Sequence, residues 1–116
     1  MSAVPQGLGD NLLVSTSVTS NTTGPNQQVL LFNKHSYQVI NENTAGDSIA
    51  YFVVEATNQN GPDATFLPIA DYQINSGNNV NSKGIMYSDD WRFVQCRFAI
   101  TGHSKGNYTI VENHIY

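Results

Sequence analysis

Residues 91–116, WRFVQCRFAITGHSKGNYTIVENHIY, decide the fold. In an extended chain, successive side chains point to opposite faces. Arg92, Val94, Cys96, Phe98 and Ile100 therefore share one side of the first half. In the second half, Tyr108, Ile110, Glu112, His114 and Tyr116 oppose Thr109, Val111, Asn113 and Ile115. Two such alternating runs, rich in β-branched and aromatic residues, read as strands. The glycine-bounded segment Gly102 to Gly106 between them predicts a hairpin.

The same five residues, Gly102-His103-Ser104-Lys105-Gly106, spell G-x-S-x-G, the nucleophile elbow of α/β-hydrolases. That chemistry needs a strand, a sharp turn and a helix, so that the serine stands exposed while backbone amides receive the oxyanion. Here the second element is a strand, and Glu112 and His114 are the only acid and histidine that follow. The motif is read as a turn.

Upstream, the alternation recurs in shorter pieces. Leu12, Val14, Thr16 and Val18 face away from Leu13, Ser15 and Ser17, which predicts a strand, and Ser20 to Asn26 reads as a loop. Val29 to Phe32 is a short apolar run consistent with a buried strand. Tyr37, Val39 and Ile40 suggest another. Ile49 to Thr57 is the most hydrophobic segment, and both of its faces are expected to be buried or nearly so. Phe66 to Ile74 is extended, but Pro68 cannot donate a ladder hydrogen bond, so it belongs at an edge or in a bent strand. Ser76 to Asn79 is a turn, and Ile85 to Tyr87 is a short strand ahead of a turn at Ser88, Asp89 and Asp90. No window sustains a helical period. About eight strands punctuated by turns predict an all-β, two-sheet β-sandwich, with jelly-roll or immunoglobulin-like topology.

The chain has 116 residues, the size of one domain. Residues 1–10, with Pro5, Gly7 and Gly9, read as an irregular N-terminal arm, and residues 11–116 as a single sandwich domain. Charged residues make up 12%, about half the share of an ordinary soluble domain. Asn, Gln, Ser and Thr supply about a third of the sequence instead, and they favour turns and solvated strand faces. The net charge is −4 and the five cations (Lys34, Lys83, Arg92, Arg97, Lys105) are scattered. This argues against a nucleic-acid partner, which needs a basic patch. No apolar run is long enough to insert in a membrane, and no secretory signal precedes the domain, so synthesis in the cytoplasm is expected. Cys96 is the sole cysteine, which excludes an internal disulfide and any site built from several thiolates.

Few side chains group into candidate sites. Tyr87, Asp89, Asp90 and Trp91 set two aromatics beside two acceptors, the mixture that a sugar site uses, and form the candidate ligand-binding residues. Asp89 and Asp90, with Asp47 or Asp63, could offer oxygens to calcium, but adjacent acids in a turn are read as solvated, and no metal or cofactor is expected. His35, His103 and His114 lack the spacing of a metal-binding pair, and Cys96, alternating with Val94 and Phe98, is read as an inert core thiol. No carboxylate pair, nucleophile with its base, or phosphate-cradling loop survives the spacing test, so no catalytic residues and no enzyme are expected.

The low charge, neutral strand faces and glycine-containing arm point to a non-enzymatic structural or interaction protein. The expected role is a capsid decoration or other particle-associated protein of a virion, such as a phage, with copies of itself and a larger protein assembly as partners. The alternative is a carbohydrate-binding module or lectin, with a glycan as partner and Trp91 as platform.

Overall fold

The computed structural model describes residues 11–42, 49–75, 84–103 and 106–115. They form nine strands: β1 (Asn11–Val18), β2 (Thr22–Thr23), β3 (Gln27–Gln28), β4 (Lys34–Asn41), β5 (Ile49–Thr57), β6 (Leu67–Asn75), β7 (Gly84–Asp89), β8 (Gln95–Thr101) and β9 (Tyr108–Ile115). Among the described residues there is no helix, and so none that could cross a membrane. The expected arm, the turn at Ser76 to Asn79, and Asp47, Ser104 and Lys105 lie outside the described residues.

Both sheets are antiparallel. One has the order β1-β9-β4-β7; the other has the order β2-β8-β5-β6, with β3 also pairing with β8. Counting β2 and β3 as one interrupted position leaves a nested series of pairs. β5 pairs with β6, β4 with β7 around them, β2 and β3 with β8, and β1 with β9 outermost. One long hairpin, rolled so that alternate pairs fall in different sheets, has this wiring. It is the jelly-roll form of the sandwich rather than the immunoglobulin form.

The alternation explains which face each strand buries. Tyr37 and Val39 on β4, Ala50, Phe52 and Val54 on β5, Cys96, Phe98 and Ile100 on β8, and Tyr108 and Ile110 on β9 form the apolar interior between the sheets. The Phe52 and Phe98 rings stack with centroids 6.5 Å apart. Outside, Arg97 forms an ion pair with Glu55 at 2.7 Å, and its guanidinium lies 4.0 Å over the Phe66 ring.

Four sequence expectations are corrected. Residues 91–116 contain two strands but no hairpin: β8 lies in the five-stranded sheet and β9 in the four-stranded one. Gly102 (φ 57°) and Gly106 (φ 114°) let the chain turn from one sheet to the other. Alternation and glycine signal a reversal, and neither names the strand that will be the hydrogen-bonding partner. Val29 to Phe32 is a turn, closed by the Phe32 N–H donating to the Val29 carbonyl at 2.9 Å. Val29 is buried there while Leu30 and Leu31 are exposed. Ser88 and Asp89 continue β7, paired with Ser36 and His35. Finally, β5 buries only one face, since Tyr51 on the other is 40% exposed.

Candidate functional site

The four sequence candidates meet at the end of β7. The Tyr87 hydroxyl donates to Asp89 Oδ2 at 2.6 Å, and Asp89 Oδ1 accepts the Trp91 backbone N–H at 3.2 Å. Tyr87 and Asp89 share the inward row of β7 with Ile85, so Tyr87 also packs against the Tyr72 and Tyr37 rings. Burial, and then the hydrogen bond to the Asp89 carboxylate, push the Tyr87 hydroxyl well above its ordinary value and keep it a donor. Asp89 and Asp90 line a cleft of about 480 Å³ together with Lys34, Ser36, Ser88 and Asn113. The Trp91 side chain is 64% exposed and rests on Phe93. The Tyr87–Asp89–Trp91 hydrogen bonds are therefore a structural clamp, while Asp90 and the Trp91 side chain stay exposed beside it.

The Trp91 carbonyl leads from this end into the core. His35 Nε2 stands 2.9 Å from that oxygen. Its Nδ1 lies 2.8 Å from Nδ1 of His114, the residue directly opposite on β9. His114 Nε2 in turn lies 2.9 Å from Glu112 Oε1, two residues along the same inward row. Cys96 arrives from the opposite sheet, its Sγ 3.9 Å from His114 Nδ1, and receives a hydrogen bond from the Tyr37 hydroxyl at 3.3 Å. All five side chains are essentially buried: none is more than 2% exposed. Phe32, Phe93 and Tyr37 pack around the two imidazoles.

Proton positions along this row follow from the partners. A carbonyl can only accept, so His35 carries its proton on Nε2 and offers the lone pair on Nδ1. His114 must then donate from Nδ1, and one proton is shared between its Nε2 and the Glu112 carboxylate. Burial, partly opposed by Asp89, lowers His35 below its ordinary value, which agrees with a neutral ring. Burial pushes the Cys96 thiol up to about 12, so it is a poor nucleophile in the folded chain. Burial likewise raises the Tyr37 hydroxyl far above its usual range, with Cys96 and Glu112 adding to the effect. Glu112 Oε2 is buried and makes no hydrogen bond among the described residues.

Among the described residues, His35, Cys96 and His114 are the group that brings three metal-ligating atoms together, all within 4.8 Å of one another. The acids weighed from the sequence do not form such a group; Asp63 is exposed in the turn after β5, and Asp47 lies outside the described residues. Spacing along the sequence gives no metal-binding pair among the histidines. Alternation does place Glu112 and His114 on the face shared by Tyr108 and Ile110, but the meeting of His35 with His114, and of both with Cys96, depends on strand order. His103 fits a structural reading: its Nε2 lies 2.7 Å from the Gly106 carbonyl, and its ring meets Tyr108 edge to face.

No protein-family model matches the chain, and no curated protein matches it by sequence. Among solved structures, the chain is similar to the SPBc2 prophage-derived protein YomS, with a TM-score of 0.65 and 13% identity over 98% of this chain and all of that one. A second solved structure, from work on Bacillus endospore appendages that form disulfide-linked pili, aligns at a TM-score of 0.38 and 8% identity over 98% of this chain and 96% of that one. At this identity, the likeness to the prophage-derived protein is one of fold.

Proposed function

We propose that the chain is a non-enzymatic structural protein that assembles with copies of itself on a larger particle, a phage virion, through the edge of β1 that no other described strand pairs with. The observation that carries this reading is the contrast among the sheet edges. Sheet edges expose unpaired backbone groups and are normally blunted by charge, proline, bulges or brevity. β6 carries Pro68 and Asp71 and faces a register shift at Val54/Glu55, β7 ends in Asp89, and β2 and β3 have two residues each. β1, by contrast, is eight residues of Asn-Leu-Leu-Val-Ser-Thr-Ser-Val without a charge, and Leu13 is 62% exposed on its outer face. Such a strand is a template for pairing with another chain. The likeness in fold to a prophage-derived protein supports the phage setting.

Native mass spectrometry and light scattering test the proposal. The wild-type chain should form a closed oligomer. Leu13→Lys with Ser15→Lys, both outward-facing on β1, should yield a folded monomer whose per-chain stability changes by no more than about 0.5 kcal/mol per substitution. A wild type that stays monomeric at high concentration and is absent from purified particles overturns the reading. The exposed Trp91 beside the acid-lined cleft favours a glycan-binding role as the second reading. Glycan binding that Trp91→Ala abolishes in a folded chain would support it.

A further inference from the structure

We propose that His35, Cys96 and His114 form a binding site for a zinc-class transition-metal ion that ties the two sheets of the sandwich together.

Both imidazoles have Nε2 already engaged with an oxygen acceptor, the Trp91 carbonyl for His35 and the Glu112 carboxylate for His114. This is how metal-binding histidines are normally held: the outer nitrogen fixes the ring while the inner nitrogen keeps its lone pair for the ion. The two Nδ1 atoms point at each other across 2.8 Å, with the thiol sulfur 3.9 Å from one of them. In a tetrahedral zinc centre with typical bond lengths, neighbouring nitrogens stand about 3.3 Å apart and nitrogen and sulfur about 3.6 Å apart. The three ligand atoms now lie within 4.8 Å of one another, the longest separation being that between Cys96 and His35. The rings need to part by roughly 0.5 Å and the thiol, which stands beside the His114 ring, to close on His35 by about 1 Å, a side-chain rearrangement rather than a change of strand pairing. Two nitrogens and a thiolate select zinc over magnesium or calcium, and zinc accepts three protein ligands with water in the fourth position.

The charge balance also closes. On binding, one proton leaves His114 Nδ1 and one leaves the Cys96 thiol, while the proton shared with Glu112 stays on His114 Nε2. The dication is then offset by the thiolate and the Glu112 carboxylate, so the buried site remains neutral overall. This gives a role to an otherwise costly group, a carboxylate 1% exposed with one oxygen that finds no hydrogen-bond partner among the described residues. The strand pairing places the ligands on both sheets, His35 and His114 on β4 and β9, and Cys96 on β8, so the ion would act as a cross-link through the core.

The test uses the full, tag-free chain, stripped with chelator and titrated first with Co²⁺ and then with Zn²⁺. About one equivalent of Co²⁺ should produce intense tetrahedral visible bands and a thiolate-to-cobalt charge-transfer band, and Zn²⁺ should displace it with a rise in melting temperature. Because Cys96 is the sole cysteine, that band identifies its sulfur without any substitution. Cys96→Ser should remove it, Glu112→Gln should weaken Zn²⁺ binding by about 10- to 100-fold, and His103→Ala should change neither. A folded wild type that gives no thiolate band, whether Co²⁺ fails to bind or binds to surface acids alone, overturns the site. If Cys96→Ser does not fold, the wild-type spectrum decides.

Discussion

Gly24 illustrates how one residue can be constrained by a neighbour far away in sequence. Its N–H donates to the Phe98 carbonyl at 2.9 Å, and a Cβ at this position would stand 2.2 Å from the Phe98 ring, which is itself fully buried against Phe52. The ring cannot swing aside without displacing the core. Gly24→Ala should therefore cost about 1–3 kcal/mol by overpacking. Chemical denaturation should show that cost shrinking in a Phe98→Leu background, and an unchanged cost would refute the collision. Nothing in the sequence marks Gly24 apart from other loop glycines, because its constraint is supplied by β8. Cys96 was legible: alternation with Phe98 sets it facing inward, and it is buried. The pairing of His35 with His114 was not, since it depends on register between strands 79 positions apart. The cluster around Tyr87 was legible as a neighbourhood, but the sequence did not show that the Tyr87–Asp89 hydrogen bond turns an acceptor of the imagined sugar site inward.

Elements were easier to read than their partners. The strands at Leu12 to Val18 and Ile49 to Thr57 lie where period-two alternation places them, and Pro68 does sit on an edge strand, β6. Among the segments misread are those where a short apolar run carries no period, as in Val29 to Phe32, where polar residues suggest a turn, as in Ser88 and Asp89, and where a reversal was taken for a pairing, as in residues 91–116. β8 also begins later than the alternation suggests, at Gln95, and this residue joins elements that the sequence leaves unrelated. The Gln95 side chain is buried, accepts from Gln28 Nε2 at 2.8 Å, and donates to the Gln59 and Gly61 carbonyls at 2.9 and 3.0 Å. It thus ties β3 and the loop after β5 to the start of β8. Gln95→Leu keeps the bulk but leaves those carbonyls without their donor, at a cost of about 1–3 kcal/mol. Hydrogen exchange should accelerate at the Gln59 and Thr65 amides, which are bonded within that loop, while the centre of the β5–β8 ladder stays protected. Equal acceleration across both would mean that Gln95 supports the whole sheet rather than the loop.

At the scale of the whole molecule, the nested pairing has a kinetic consequence. The innermost pair, β5 with β6, joins residues close in sequence, whereas the outermost places Asn11 opposite Ile115, so the chain must close nearly its full length to make it. Loop closure opposes long-range pairs until other contacts have formed, and jelly-roll wiring therefore favours slow folding in the millisecond-to-second range. A nucleus built on the β5–β6 pair and the β8 strand beside it is the order that this topology favours. Val54 on β5 and Val18 on β1 are equally buried, each 1% exposed, and permit a matched comparison. Replacing either with alanine should cost about 2 kcal/mol at equilibrium. Kinetically the two should separate: Val54→Ala should mainly slow folding, whereas Val18→Ala should leave the folding rate nearly unchanged and speed unfolding. Stopped-flow denaturant jumps on a monomeric β1-edge variant measure both limbs without interference from assembly. If Val18→Ala slows folding as much as Val54→Ala, the outer pair already exists in the transition state, and closure of the full chain precedes the inner hairpin.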